Sequence, residues 1–124
     1  MATLAPHASA PTAKAPNAAL TDCPARLAVE IIADKWSFLV IFALRTSPRR
    51  HGELVDAVGG ISRKVLTQSL RKLQGYGLVH RTQAQEYALT DLGATLVEPI
   101  EMLNRWAYDH GEAIVEFQES HRVD

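Results

Sequence analysis

The sequence has little of two features that mark common protein classes, cysteine and long apolar runs. Its 124 residues contain one cysteine, Cys23, which excludes an internal disulfide and any zinc site built on several cysteines. The longest apolar run, Phe38 to Leu44, is far shorter than the roughly 18–20 residues that a membrane-spanning helix needs. The N-terminal stretch shows no apolar block followed by a cleavage pattern, so we expect no secretion signal and a cytoplasmic location.

The sequence also lacks the residue patterns of enzymes. Four of the five histidines are His51, His80, His110 and His121. Their spacing does not place two of them on one helix face beside a carboxylate ligand set. Ser62 and Ser69 lie outside any nucleophile motif, and no glycine-rich phosphate loop follows a strand. We therefore expect a protein that is not an enzyme and that holds no metal and no cofactor.

Charge is distributed unevenly although the formal net charge is only −1. Residues 45–81 carry eight basic side chains against two acidic ones, whereas residues 91–124 carry two basic side chains against eight acidic ones. A basic middle segment is typical of a protein that binds a polyanion there. An ordinary solvated surface would give the same count, so the charge alone leaves both interpretations open.

Residues 1–21 contain eight alanines and three prolines, which predicts a disordered tail, because little of this segment could be buried. A single domain is expected over residues 22–124. Apolar spacing predicts a first helix over residues 24–33, with Pro24 at its first position. A second helix is predicted over residues 36–44, capped by Asp34; it is apolar on every side and should lie at the centre of the domain.

Two further helices follow, over residues 52–58 and 62–74, joined by Gly59-Gly60-Ile61 and with Ser62 as the second cap. This order is the helix-turn-helix signature. The second of these helices has one apolar stripe, and its other face carries Arg63, Lys64, Thr67, Gln68, Arg71 and Lys72. That face has no acid and suits contacts with phosphates and base edges, although an amphipathic helix with a solvated basic face remains the alternative.

The chain ends with a predicted hairpin and a long helix. Residues 78–82 and 86–90 are predicted as strands around Gln83-Ala84-Gln85, the position of the wing in a winged helix. One helix is then predicted over residues 91–118, with Pro99 as the expected site of a kink. Its apolar residues recur at heptad spacing, which favours packing on another subunit over folding back on the same domain; they are Leu92, Leu96, Ile100, Leu103, Ala107, His110, Ile114 and Phe117.

Five motifs occur in an order that resembles the HxlR family of bacterial transcription regulators, relatives of the MarR group. They are Cys23-Pro24, Asp34-Lys35-Trp36-Ser37, Arg49 to Leu54, Gly60 to Thr67 and Glu86 to Thr90. The resemblance covers about residues 22–111. It implies a mainly α-helical winged helix-turn-helix with a small β-hairpin, dimeric through its first and last helices, with the Ser62 helix in the major groove.

The resemblance and the basic helix face together predict the contacts. A pseudo-palindromic duplex operator in the bacterial nucleoid would be bound by Arg49, Arg50, Ser62, Arg63, Lys64, Thr67, Gln68, Arg71 and Arg81. The homodimer interface would contain Leu27, Ile31, Leu103, Trp106, Ala107, Ile114 and Phe117. Two features depart from the family pattern: the predicted wing loop is short and uncharged, which disfavours minor-groove contact, and His51 stands where phenylalanine is more usual.

The cysteine that corresponds to Cys23 senses oxidants or electrophiles in some members of this family. A thiol at a helix N-terminus has its pKa lowered by the helix dipole, although Asp22 opposes this shift. A redox-sensing role, with an oxidant or small molecule as effector, and a purely structural role both remain open. A second alternative concerns the whole protein: a winged helix that binds proteins through its acidic last helix and no longer binds DNA.

Overall fold

The computed structural model describes Ala19 and residues 24–122. The predicted tail over residues 1–21 therefore lies, apart from Ala19, outside the described residues, as does Cys23. The elements in chain order are α1 (Pro24–Ile32), α2 (Lys35–Ala43), α3 (His51–Val58), α4 (Arg63–Gly75), β1 (Val79–Arg81), β2 (Tyr87–Leu89), α5 (Asp91–Ala94) and α6 (Val97–Ser120). The first four helices lie within one residue of their predicted bounds. None of the helices in residues 24–122 is long and apolar enough to cross a membrane.

Helix α2 lies at the centre of the fold, as its uniformly apolar sequence predicts. It contacts α1, α3, α4 and α6, and its Val40 and Ile41 have no exposed surface. The core around it comes from the inner faces of the covering helices, through Leu54, Leu66, Leu70, Leu73 and Ile100. A helix without a polar side is stable in water only when it is covered in this way.

Asp34 fixes the beginning of α2 and joins it to α4. Its carboxylate accepts hydrogen bonds from the backbone N–H of Trp36 at 3.1 Å and from the hydroxyl of Ser37 at 3.0 Å. The ammonium of Lys72, in the last turn of α4, lies 3.4 Å from the same carboxylate. Partial burial acts to raise the pKa of Asp34, but the hydrogen bonds from Ser37, Trp36 and Lys72 outweigh it and hold the pKa below its ordinary value.

A tight turn sets α4 against α3. Gly59 and Gly60 both have positive φ, +76° and +81°, a conformation that glycine adopts without strain. Ile61 is buried beneath the turn. Ser62 then begins α4, its Oγ accepting a hydrogen bond from the N–H of Val65 at 3.1 Å, so the predicted cap is confirmed.

The wing is a short antiparallel hairpin in which Val79 pairs with Leu89 and Arg81 with Tyr87. Each strand has three residues rather than the predicted five, because Thr82 closes the loop early: its N–H donates to Glu86 O at 2.7 Å, and its Oγ1 accepts from the N–H of Glu86 at 3.2 Å. Arg49 adds one bridge on the outer side of β2, with backbone N···O distances to Tyr87 of 2.9 and 2.8 Å.

The prediction of one helix over residues 91–118 with a kink at Pro99 is wrong. The structure has two helices, and the break falls at Thr95 and Leu96. Pro99 lies in the first turn of α6, where a missing N–H leaves no helical hydrogen bond unmade. Two members of the heptad series also face inward, since Ile100 is buried in the core and Leu96 packs against it.

Two features account for the break. A continuous helix would place the carbonyl of Thr95 against Pro99, which has no N–H to donate and whose ring clashes there, and a close approach between backbones fixes α5. Gly93 of α5 is buried, and a Cβ placed on it would collide with the carbonyl oxygen of Leu78. Thr90 is hydrogen-bonded to both partners of this contact. Its N–H donates to Leu78 O at 3.0 Å, and its Oγ1 accepts from the N–H of Gly93 at 2.9 Å. Helix α5 is thus attached to the base of the hairpin, and α6 takes a separate direction along α2, where Glu101 pairs with Arg45 at 3.5 Å.

Gly93→Ala should reduce the free energy of unfolding by about 2–3 kcal/mol, because the added methyl group overpacks a rigid backbone contact. Gly75→Ala is the matched control: no atom of the described residues lies within 4 Å of the position of its Cβ, and alanine in the last turn of α4 should stabilise the helix by up to about 1 kcal/mol. Urea unfolding measures both. Equal effects of the two substitutions would contradict the close approach at Leu78.

Asp34→Ala should lower the free energy of unfolding by about 1 kcal/mol, because α2 loses its cap. Asp34→Asn keeps a capping oxygen and should lower the free energy of unfolding by less.

The charge of Asp34 should also make stability depend on pH. Since the pKa of Asp34 is lowered in the folded state, its charge stabilises the fold fully above the unfolded pKa of about 3.9, and this contribution is lost as the pH falls through the lower folded value. The difference between the unfolding temperatures of wild type and Asp34→Asn should be constant from pH 7 to about pH 5 and should disappear below about pH 4. A difference that grows on acidification would refute the charge pairing.

Candidate nucleic-acid interface

Helix α4 presents a basic face to solvent, which we define by Arg63, Lys64, Gln68 and Arg71. All four side chains are exposed, and the opposite side of the helix is buried through Leu66, Leu70 and Leu73. Within residues 24–122, none of the three cations of the basic face forms an ion pair. Lys72, which the sequence places on the same side, is instead turned toward Asp34.

The N-terminus of α4 adds backbone donors beside the basic face. Its first turn contains no acidic residue, so the positive end of the helix dipole is not neutralised there. The oxygen of Ser62 accepts the capping hydrogen bond, which leaves the hydroxyl hydrogen available as a donor. A helix N-terminus with these groups can bind an anion such as a phosphate.

The start of α3 lies next to α4. The backbone N–H of Arg50 donates to Glu53 Oε1 at 2.8 Å, so the exposed Arg50 side chain is not needed for the cap. His51 follows, and its Nε2 lies 3.0 Å from Thr67 Oγ1 on α4. Thr67 is therefore half-buried against His51, whereas the residues of the basic face are exposed.

Tyr87 of the hairpin connects the remaining predicted cations with this region. The Arg81 guanidinium lies 5.3 Å from the centre of the Tyr87 ring, and the His51 ring meets the same ring edge-on at 6.5 Å. Arg49 pairs with Tyr87 through its backbone, and its Nε donates to the carbonyl of Ala43 at 2.9 Å. Arg81 is exposed, whereas Arg49 is half-buried and has part of its guanidinium engaged inside the fold.

His51 is the residue of this region that the sequence analysis does not select as a site. Its side chain contacts both α4 and the hairpin. The available signal is its departure from the phenylalanine usual at this position in the family that the sequence resembles. That departure marks the residue but not its partner, because Thr67 lies sixteen positions away along the chain.

Exposed apolar side chains lie on α6 and on α1. Large side chains are exposed there to 45% at Leu103, 53% at Trp106 and 62% at Phe117. Leu27 of α1 and Ile114 of α6 are exposed to 52% and 44%, and Ala107 of α6 is exposed as well. Ile31, predicted for the same surface, packs in the core of its own chain at 8% exposure and has almost no area to offer a partner.

The family model of the HxlR-like helix-turn-helix matches residues 31–115 of this chain. YtfH of Escherichia coli, an HTH-type transcriptional regulator, is 33% identical over 90 residues, which cover 68% of this chain and 71% of YtfH. YkvN of Bacillus subtilis, also an HTH-type transcriptional regulator, is 33% identical over 96 residues, 73% of this chain and 81% of YkvN.

Solved structures give the same result. The transcriptional regulator ytfH from Salmonella typhimurium superimposes with a TM-score of 0.69 and 29% identity over 78% of this chain and 92% of that one. The redox regulator HypR in its reduced form superimposes with a TM-score of 0.69 and 25% identity, over 75% of this chain and 98% of HypR. Quinone-bound YodB from Bacillus subtilis superimposes with a TM-score of 0.63 and 28% identity, over 70% of this chain and 98% of YodB.

The fold class predicted from the sequence, mainly helical with a hairpin wing, is confirmed by these relatives and by the element order α3, turn, α4, β1, β2. The predicted family is confirmed as well, since the matching model spans the core, the basic face and most of α6. With its helix-turn-helix geometry and its relatives in agreement, this chain belongs to the HxlR-like helix-turn-helix family of transcription regulators.

Proposed function

We propose that this protein is a sequence-specific transcription regulator that binds duplex DNA with α4 in the major groove. The observation that carries the proposal is the basic face of α4, which is exposed, free of acid and not paired within residues 24–122. Guanidinium, ammonium and amide groups are the side chains that read base edges in the major groove. Of the predicted contacts, Arg63, Lys64, Gln68 and Arg71 are therefore assigned to the groove.

Contacts with the phosphate backbone would come from both sides of α4. The exposed Arg50 at the start of α3 and the exposed Arg81 of β1 flank it in the chain, and Ser62 contributes a hydroxyl at the N-terminus of α4. Such contacts fix the position of a protein on the duplex and carry no sequence information. Arg49 is assigned mainly to the fold, because its Nε is bonded to Ala43 O.

We infer that a second copy of this chain covers the apolar surface formed by Leu27, Leu103, Trp106, Ala107, Ile114 and Phe117. Exposed apolar patches of this kind mark interaction sites, and α6, with 24 residues, is about 36 Å long at 1.5 Å per residue, longer than the domain that it packs on. A two-fold dimer would present two copies of α4 to one duplex. The matching operator is pseudo-palindromic, with half-sites about one helical turn, or a small multiple of it, apart.

We also propose that Cys23 makes DNA binding sensitive to oxidants or electrophiles. HypR is a redox regulator, and YodB has been solved in quinone-bound and diamide-treated forms. In this chain Cys23 directly precedes Pro24, the first residue of α1, and α1 contributes Leu27 to the proposed dimer surface. A modified thiol would thus act on the spacing of the two copies of α4.

Arg63→Ala and Lys64→Ala should each weaken binding to a selected operator by about 1–3 kcal/mol and relax the preference at one base pair. Arg50→Ala should weaken binding to all sequences alike and reduce the salt slope by about one. Arg26→Ala is the charge-matched control, since Arg26 lies on α1 and pairs with Glu30. Fluorescence anisotropy with labelled duplexes, titrated with salt, measures all four. If wild type shows no salt-dependent binding to any duplex, the alternative of a protein-binding winged helix replaces this proposal.

The double substitution Leu103→Asp with Ile114→Asp should dissociate the dimer and abolish tight operator binding, since each buried side chain of this size contributes about 1.5–3 kcal/mol. Tyr108→Asp is the control: Tyr108 is 86% exposed and lies on a different side of α6 from Leu103. Sedimentation at micromolar concentration gives the oligomeric state. A wild-type monomer that binds its operator tightly would contradict the proposed interface.

Diamide or a quinone should change the operator affinity of wild type, and Cys23→Ser should abolish this response while leaving the untreated affinity unchanged. The same anisotropy titration, run before and after treatment, is the measurement. Identical responses in wild type and Cys23→Ser would remove Cys23 from the mechanism, as would a thiol pKa at or above about 8.5, the value of an unperturbed cysteine.

A further inference from the structure

His51 is placed where α3, α4 and the hairpin meet. It is the first residue of α3, its Nε2 lies 3.0 Å from Thr67 Oγ1, and its ring meets that of Tyr87 edge-on at 6.5 Å. The ring contact requires only an aromatic side chain. The polar contact with Thr67 requires the imidazole nitrogen.

Thr67 is one helical turn from both Lys64 and Arg71, on the edge of the basic face. A threonine hydroxyl has one hydrogen to donate and two lone pairs to accept, and on its own it rotates to suit its neighbours. When Nε2–H of His51 donates to Oγ1, the hydroxyl hydrogen of Thr67 is left to point away from His51. The side chain then offers a donor whose directions are fixed to those away from His51, instead of a freely rotating group.

A fixed donor beside the basic face meets acceptors on DNA. The major groove offers the N7 and O6 atoms of guanine, the N7 of adenine and the O4 of thymine, and the backbone offers phosphate oxygens. Which of these is met depends on the direction in which the hydroxyl is held. A residue that sets this direction affects sequence preference without touching the duplex.

We propose that His51, in the tautomer that carries its proton on Nε2, is a positioning residue for DNA recognition, which holds the Thr67 hydroxyl as a donor toward one base pair. The proposal rests on the proposed function, because it assigns a role within the DNA contact of α4. A phenylalanine at this position would keep the edge contact with Tyr87 but leave the Thr67 hydroxyl unrestrained. The imidazole thus adds a polar function to a position that otherwise needs only ring packing.

The test is selection of bound sequences from a random duplex pool by wild type, His51→Phe, Thr67→Val and the double variant. His51→Phe and Thr67→Val should each lose about three- to tenfold preference at the same base pair, the range of one hydrogen bond, and the double variant should lose no more than either. His51→Gln should restore the preference, since its side-chain amide can donate to Thr67. Thermal unfolding of each variant reports whether the fold is kept, and His51→Gln and Thr67→Val provide the comparison if His51→Phe does not fold.

Four outcomes would overturn the inference. A His51→Phe profile equal to that of wild type would leave His51 a packing residue only, and losses that multiply in the double variant would show that His51 and Thr67 act separately. His80→Phe is the control, because His80 is exposed on β1 and makes no contact with Thr67; an equal change there would assign the effect to histidine charge in general. If wild type enriches no sequence, the proposed function fails and this inference with it.

Discussion

The structure depends on one constraint, the need to cover α2 on every side. Eight of its nine residues are apolar or fully buried, so α2 can exist in water only inside a shell of other helices. Helices α1, α3, α4 and α6 provide that shell, and each buries at least one apolar side chain in the core. The geometry of the helix-turn-helix follows, because α3 and α4 are fixed by their contact with α2, and their outer sides are left free for charge.

A few polar side chains set the directions in which these elements leave the core. Asp34 begins α2 and contacts the last turn of α4 through Lys72. Thr90 attaches α5 to the base of the hairpin, and His51 bridges the start of α3 to Thr67. Each contact joins two elements, so the position of the basic face relative to the hairpin is set by hydrogen bonds as well as by packing.

Local pattern was enough to predict most of the fold. The bounds of α1 to α4 and the caps at Asp34 and Ser62 follow from apolar spacing and capping chemistry, which act over a few residues. The position of the break between α5 and α6 did not follow. Pro99 signals an interruption, since it cannot donate to the carbonyl of Thr95 four residues earlier, but the approach of Gly93 to the backbone of Leu78, which fixes α5, is a tertiary contact. Heptad spacing runs through the break without a signal, and it cannot tell that Ile100 faces the core whereas Leu103 faces solvent.

Part of the candidate site could likewise be predicted from the sequence, and part of it could not. The cations of the basic face could be predicted, since an amphipathic helix fixes which residues share a side. The turn of Lys72 toward Asp34 could not, because the two residues are 38 positions apart. The contact between His51 and Thr67 was missed for the same reason: it is a tertiary contact between elements whose relative placement only the packed core determines. The Nε of Arg49 contacts Ala43 only six positions away, but Arg49 lies outside the helices, where no period in the sequence indicates the direction of a side chain.

The central claim is that the outer side of α4 is the surface on which this protein meets duplex DNA. Backbone amide shifts of the isotope-labelled protein, followed by NMR while a selected duplex is added, test this claim residue by residue. The account predicts the largest changes at residues 62–71 of α4 and at residues 50–52 at the start of α3, with little change beyond residue 110 of α6. Changes confined to the acidic half of α6, or spread evenly over the chain, would contradict it.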